Sequence, residues 1–171
     1  MKHLRAFTLI ETFVAITVLL ISLAGPLSIA AQALKSAYYA RDEITAFYLA
    51  QEGIEYVRAV RDQNYLTSAA WLTGLDPACV APNTCEVDFP HFWSQTCGGG
   101  SAACGPLVID ANGLFEYQIQ ANTTPSLFTR TLTITTVAGA PDERSVTVTV
   151  SWVSAGINRS FQLSERLFNW L

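Results

Sequence analysis

The chain has 171 residues, half of them hydrophobic, and 10 basic against 14 acidic side chains give a formal charge of −4. That length allows one modest core beside any membrane segment. The acidic balance, with no clustered Lys and Arg, excludes a nucleic-acid footprint, and the absence of Gly-x-Ser-x-Gly, His-Glu-x-x-His and phosphate-loop patterns argues against an enzyme.

Residues 1–6 form a short leader carrying Lys2 and Arg5. An apolar stretch follows over residues 7–34; it opens with Phe7-Thr8-Leu9-Ile10-Glu11 and is uncharged from Thr12 through Leu34. That run exceeds the roughly 20 residues a helix needs to cross a hydrocarbon core. Basic residues before it and acidic ones from Asp42 onward place the leader in the cytoplasm and the bulk of the chain outside. Glu11 is out of place in a plain span, since an acid at the centre of a membrane helix costs about 2.5 to 3.5 kcal/mol even on insertion scales. A secretory signal peptide cut after Ala31-Gln32-Ala33 would share the basic start, but such apolar regions run roughly 7–15 residues without an acid. A plain bitopic anchor also leaves Glu11 unexplained.

The Phe7-Thr8-Leu9-Ile10-Glu11 run behind a basic leader resembles the N-terminal processing and methylation motif of type IV pilins and of the pseudopilins of type II secretion. The resemblance implies prepilin peptidase cleavage between Ala6 and Phe7 and methylation of the new amino group of Phe7. It also implies an assembly role for Glu11, whose carboxylate would meet the N-terminal amine of a neighbouring subunit and set axial register. A buried ion pair is a weak source of net stability but a credible source of register. Ala6 departs from the family pattern, in which Gly usually precedes the cut. The implied partners are other pilin or pseudopilin subunits, the peptidase, an inner-membrane assembly platform and, before assembly, membrane lipid. No cofactor and no metal are expected. The implied fold is α+β and pilin-like: a long N-terminal helix packed on a C-terminal antiparallel sheet.

Gly25-Pro26 interrupts the apolar stretch, and a kink or local melting is expected where Pro26 removes a backbone donor. In the family a helix breaker in this zone is associated with stretching of the helix on filament entry. Residues 35–64 read as the amphipathic half of the same helix, with Ala33, Ala37, Ala40, Ile44, Phe47, Ala50, Ile54 and Val57 on one stripe. Of these, Ile44, Phe47, Ile54 and Val57 suit packing on a sheet.

Residues 65–106 are rich in turn formers and hold all four cysteines, Cys79, Cys85, Cys97 and Cys104. A short helix is expected over 65–72 and disulfide-stapled loop beyond it. The spacing lacks Cys-x-x-Cys, and an exported chain favours disulfides over zinc. Four cysteines allow three connectivities; proximity favours Cys79 with Cys85 and Cys97 with Cys104. The aromatics of Phe89-Pro90-His91-Phe92-Trp93 are expected to plug this loop onto the core rather than to form a contact patch.

From residue 107 the hydrophobic period becomes two, giving an antiparallel sheet over 107–171. Strands at 107–109 and 114–120 flank Asp110-Ala111-Asn112-Gly113, where Asn-Gly signals a hairpin turn. Two oxygens from Asp110 and Asn112 fall short of the roughly 6–8 that calcium takes. Further strands are expected at 128–137 and 145–153, with 138–144 as a turn, and a last strand carries Phe161 and Leu163 before a docked apolar tail ending in Trp170 and Leu171. Beyond the leader, His91 is the only histidine, and spacing supplies no titratable partner for it.

Overall fold

The computed structural model describes residues 8–75, 77–98, 104–118 and 121–169. The proposed cleavage junction at Ala6 and Phe7, and the apolar end at Trp170 and Leu171, lie outside the described residues. The chain is α+β, with one long helix, α1 (Leu9–Leu66), followed by seven antiparallel strands. It divides into two units, Met1–Asp42 and Glu43–Leu171.

Thr8 starts the helix. Its carbonyl accepts the Thr12 N–H at 3.2 Å and its Oγ1 accepts the Glu11 N–H at 3.3 Å, which with Glu11 at the third helical position is the Thr-x-x-Glu capping pattern. The helix then runs unbroken through Gly25 and Pro26, so the local melting expected there is absent. Proline forfeits one donor and crowds one carbonyl, but the bonds of the flanking turns remain, and the Ser28 hydroxyl donates to the Gly25 carbonyl at 2.8 Å. At the other end Ser68 adopts φ 57°, while the N–H groups of Ser68 and Ala69 bond back to the carbonyls of Tyr65 and Asn64 at 3.1 and 2.8 Å. This is a Schellman-type stop. The Asn64 amide donates to the carbonyls of Trp71 and Thr73, so the short helix expected over 65–72 is replaced by helix termination and turns.

Within the second unit the helix buries Ala46, Leu49, Ala50, Ile54, Tyr56, Val57 and Val60. Ile44 and Phe47, expected on that face, are 57% and 36% exposed. Ala50, Ile54 and Val57 of the expected stripe are buried, and Gly53 lies beside them, where a Cβ would stand a tight 3.1 Å from both Val148 methyls. Small residues set the line of closest approach, and the larger apolar ones flank it.

The strands are β1 (Cys85–Asp88), β2 (Trp93–Thr96), β3 (Pro106–Ile109), β4 (Phe115–Glu116), β5 (Thr124–Val137), β6 (Ala140–Ser154) and β7 (Ile157–Phe168). β5 is the hub. One of its edges pairs with β6 along its length and β6 with β7; its other partners are β3, in the register Pro106↔Thr129, and β1, at Cys85↔Leu132. The β1–β2 hairpin is a correction to the expected loop region, and a four-residue ladder from Cys85↔Thr96 to Asp88↔Trp93 forms it. β6 begins at Ala140, so the expected turn over 138–144 shrinks to Ala138-Gly139. Alternation divides the large strands cleanly. Phe128, Arg130, Leu132 and Ile134 of β5 and Val146, Val148, Val150 and Trp152 of β6 are buried. The opposite face carries Thr129, Thr131, Thr133 and Thr135 beside Ser151, Thr149, Thr147 and Ser145, one buried face and one polar face.

The disulfides join Cys79 to Cys85 and Cys97 to Cys104, with Cα separations of 4.8 and 4.7 Å. The first holds the approach to β1 beside β5, where the Ile134 N–H donates to the Cys79 carbonyl at 2.8 Å. The β6–β7 turn is Ala155-Gly156, with φ 51° and 77°, the geometry of a two-residue hairpin turn that favours Asn-Gly. Ala155 adopts the left-handed region at a cost of roughly 1 kcal/mol. Ala155→Asn is therefore expected to stabilise the protein by up to about 1 kcal/mol, read as a raised urea midpoint with an unchanged slope.

Candidate functional site

Two parts of the chain concentrate chemistry: the apolar first half of α1 and a buried charge cluster under the sheet.

In the apolar half an 18-residue window has a mean hydropathy of 2.3 and none of it is buried. This helix is long and apolar enough to cross a membrane, as a single-pass anchor would. Its hydroxyls are satisfied within the helix: Thr12, Thr17, Ser22 and Ser28 each donate to the carbonyl three residues back at 2.8 Å. Such back-bonding removes the cost of placing a hydroxyl in lipid. Glu11 is left as the one charged group of the segment, and it lies in the first turn. The capping pattern Thr8-x-x-Glu11, which the sequence reading missed, gives the carboxylate a local role at the helix start. Aspartate or glutamate at a helix start is favoured by about 0.3–1 kcal/mol.

In the second unit the fold assembles a cluster that spacing concealed. Arg130 of β5 is 1% exposed. Its Nη1 donates to the Leu49 carbonyl at 3.1 Å and to Glu52 at 2.9 Å, and its Nη2 donates to the Val87 carbonyl at 2.5 Å. One guanidinium thus joins α1, β1 and β5. Its Nε has no partner, nor does the Trp152 indole N–H. Tyr117 closes over it, with the ring centroid 5.9 Å from the guanidinium carbon and its hydroxyl donating to the Arg130 carbonyl at 2.7 Å. Burial pushes the Tyr117 phenol up to about 12, against the opposing pull of the Arg130 charge.

Asp88, fully buried, accepts from the backbone N–H groups of His91 and Tyr117 at 3.0 and 2.9 Å. His91 Nδ1 lies 3.0 Å from Asp88 and 3.5 Å from Glu116, so His91 meets two buried carboxylates: Asp88, three residues before it and overlooked in the sequence, and Glu116, which the fold brings. Asp88 closes the tip of the β1–β2 hairpin, a structural use. The neighbouring aromatics divide: Phe89 and Phe92 remain 42% and 44% exposed, while the Phe92 ring meets Tyr56 at 5.4 Å and Trp93 meets Tyr117 at 6.2 Å. The expected plugging holds for one side of those rings only.

His91 and Glu116 also line a cavity of about 320 Å³ with Asp110, Asn112 and Asn122. Asp110 is committed to its turn, accepting from the N–H groups of Asn112 and Leu114 at 2.8 and 2.7 Å and from the Asn112 amide at 2.9 Å. The Leu114 bond, foremost among these, holds its carboxyl below the usual carboxylate range. Glu86 lies close to Cys97 and Cys104, but those sulfurs are bonded to each other and Glu86 accepts from the Gly105 N–H at 2.6 Å and the Gln95 amide at 2.9 Å. That grouping is therefore a braced loop.

No protein-family model, curated protein or solved structure matches this chain.

Two outcomes follow from the cluster. Arg130→Met strands Glu52 and two carbonyls, and is expected to cost about 3–5 kcal/mol in urea unfolding. Because the Tyr117 phenol ionises at 10.0 unfolded and at about 12 folded, the unfolded state sheds its proton first. Stability is therefore expected to be full below pH 10 and to fall between pH 10 and 12, with Tyr117→Phe removing that portion of the loss.

Proposed function

We propose that this chain is a structural subunit of the type IV pilin-like class, a minor pilin or pseudopilin, built into a filament through α1. The observation that carries the proposal is the combination in one helix, Leu9–Leu66, of a wholly exposed apolar half and a half that buries its small-residue stripe under a sheet. Before assembly the apolar half would be dissolved in lipid, with its hydroxyls internally bonded. In a filament the same surface would be covered by copies of itself. The N-terminal motif supplies the processing step, cleavage between Ala6 and Phe7 followed by methylation, and supplies Glu11 as the registering carboxylate. The head then lies outside the cytoplasm, where its two disulfides are stable.

The reading is tested at the N-terminus. Mass spectrometry of the chain recovered from cells that contain a prepilin peptidase is expected to give an N-methyl-Phe7 start. A Leu34 start would replace the proposal with a secretory signal peptide, and an intact Met1 with a plain anchor. Glu11→Ala is expected to leave the protein in the membrane fraction and to reduce its incorporation into sheared filaments at least about tenfold, as loss of a buried ion-pair partner does. Undiminished incorporation would remove the register role.

A further inference from the structure

β7 is an edge strand: among the described residues it pairs with β6 alone. The Asn169 N–H donates to the Asp142 carbonyl at 2.9 Å, and the register continues without a shift from Glu143↔Phe168 to Ser154↔Ile157. This sets the phase of the ladder. Bonded and non-bonded pairs alternate, so Ile157, Arg159, Phe161, Leu163, Glu165 and Leu167 spend their backbone groups on β6. The N–H and C=O groups of Asn158, Ser160, Gln162, Ser164 and Arg166 point away from the sheet. Ser160, Gln162 and Ser164 are exposed.

An edge of this length is normally blunted, often by charge. The charges on β7 are arranged differently. Arranged antiparallel about Gln162, the strand is complementary to itself. Gln162 faces Gln162 of the second copy, Ser160 faces Ser164, and Asn158 faces Arg166, each an outward residue meeting an outward residue as bonded pairs require. The alternate, closer pairs set Phe161 against Leu163, Arg159 against Glu165, and Ile157 against Leu167. Glu165 meets Arg58 of its own chain through Oε1. Moving the twofold centre by one or two residues in either direction puts a charge opposite an apolar side chain or leaves it beyond the strand. Only the Gln162 centre joins Arg159 to Glu165. Cross-strand pairs of this kind favour pairing, and like charges in the same places oppose it.

We infer that the free edge of β7 is the docking site for a second copy of this chain, the two strands pairing antiparallel about a twofold axis at Gln162. The sheet continues from one copy into the other. The occupant is identified by the pattern of the strand itself, since opposite charges and apolar side chains meet in one register when β7 faces β7. This contact requires neither leader cleavage nor filament entry, and it stands apart from the assembly reading above.

Single cysteines test the register in the full-length chain in membranes, because the described native cysteines are all bonded. Bonded antiparallel pairs hold Cα atoms about 5.5 Å apart, within the roughly 4.4–6.8 Å that a disulfide spans. Gln162→Cys is therefore expected to give a covalent dimer on mild oxidation. Ser164→Cys alone, whose mate would be roughly 14 Å away, is expected to give none, while Ser160→Cys with Ser164→Cys restores it. Equal cross-linking at all positions, no cross-linking of Gln162→Cys, or a cross-link to a different polypeptide overturns the inference. Arg159→Glu sets like charges opposite each other at both symmetry-related places and is expected to weaken the dimer at least about fivefold in sedimentation; an unchanged dissociation constant also overturns it.

Discussion

The guanidinium of Arg130 is the interaction on which the head domain depends. Taking a charge out of water costs several kcal/mol even after relaxation, and Arg130 is almost fully enclosed. Its enclosure is offset by bonds to three acceptors on two other elements, the Leu49 carbonyl and Glu52 on α1 and the Val87 carbonyl on β1. Charge-assisted bonds of this type are about twice as strong as neutral ones. The offset is incomplete, because Nε has no acceptor. An apolar residue alone would not avoid that cost, because it would strand Glu52 and the two carbonyls; the bonds to Leu49, Glu52 and Val87 instead tie one position of α1 to one position of β1 through β5.

Gly53 belongs to the same constraint. The helix must approach β6 closely enough for Arg130 to reach across, and the Val148 methyls already stand where a side chain at position 53 would point. Small residues at 46, 50 and 53 permit the approach, and the arginine then fixes the phase. With α1 lying on one face of β5 and β6, the other face is left to threonine and serine, which need no cover. The sheet is thus finished on both faces but not along β7, where its backbone donors and acceptors continue outward. Among the described residues β2 and β4 also pair on one side only, but at four and two residues they are short beside β7.

How much of this was legible in the sequence depended on whether the signal was periodic or spatial. The long helix, the period-two strands, the Asp110 turn and the paired neighbouring cysteines were local patterns, and local physics decides them. The β1–β2 hairpin was hidden because Cys85–Asp88 and Trp93–Thr96 are only four residues each, too short for alternation to register, and Cys, Pro and Gly around them read as loop. The amphipathic stripe was read correctly at Ala50, Ile54 and Val57 and missed at Ile44 and Phe47. Hydrophobicity marks Ile44 and Phe47, whereas close packing on a sheet selects Ala46 and Gly53, whose value lies in what they lack. The Arg130 cluster and the Glu116 carboxylate beside His91 join positions tens of residues apart, so no spacing rule could find them, whereas Asp88 lies only three residues before His91 and was overlooked. Thr8-x-x-Glu11 is a local capping pattern that the sequence reading passed over, because Glu11 was weighed only as a charge in an apolar stretch.

That capping pattern changes the argument about Glu11. A carboxylate at the centre of a membrane helix demands a partner, but Glu11 lies in the first turn, where unsatisfied N–H groups and the helix dipole already favour a negative charge by about 0.3–1 kcal/mol. The cap therefore accounts for part of its cost while the helix stands alone, and the presence of an acid in the apolar stretch does not by itself require a neighbour. What the cap cannot supply is a full countercharge when the helix end leaves the interface. Removal of the leader would provide one, because the new amine of Phe7 lies four positions before Glu11, one turn along a continued helix. The cap bond is made by the Glu11 N–H, which donates to the Thr8 hydroxyl, so the cap does not use the Glu11 carboxylate, and under the proposed reading that carboxylate is the group a neighbour's amine would meet.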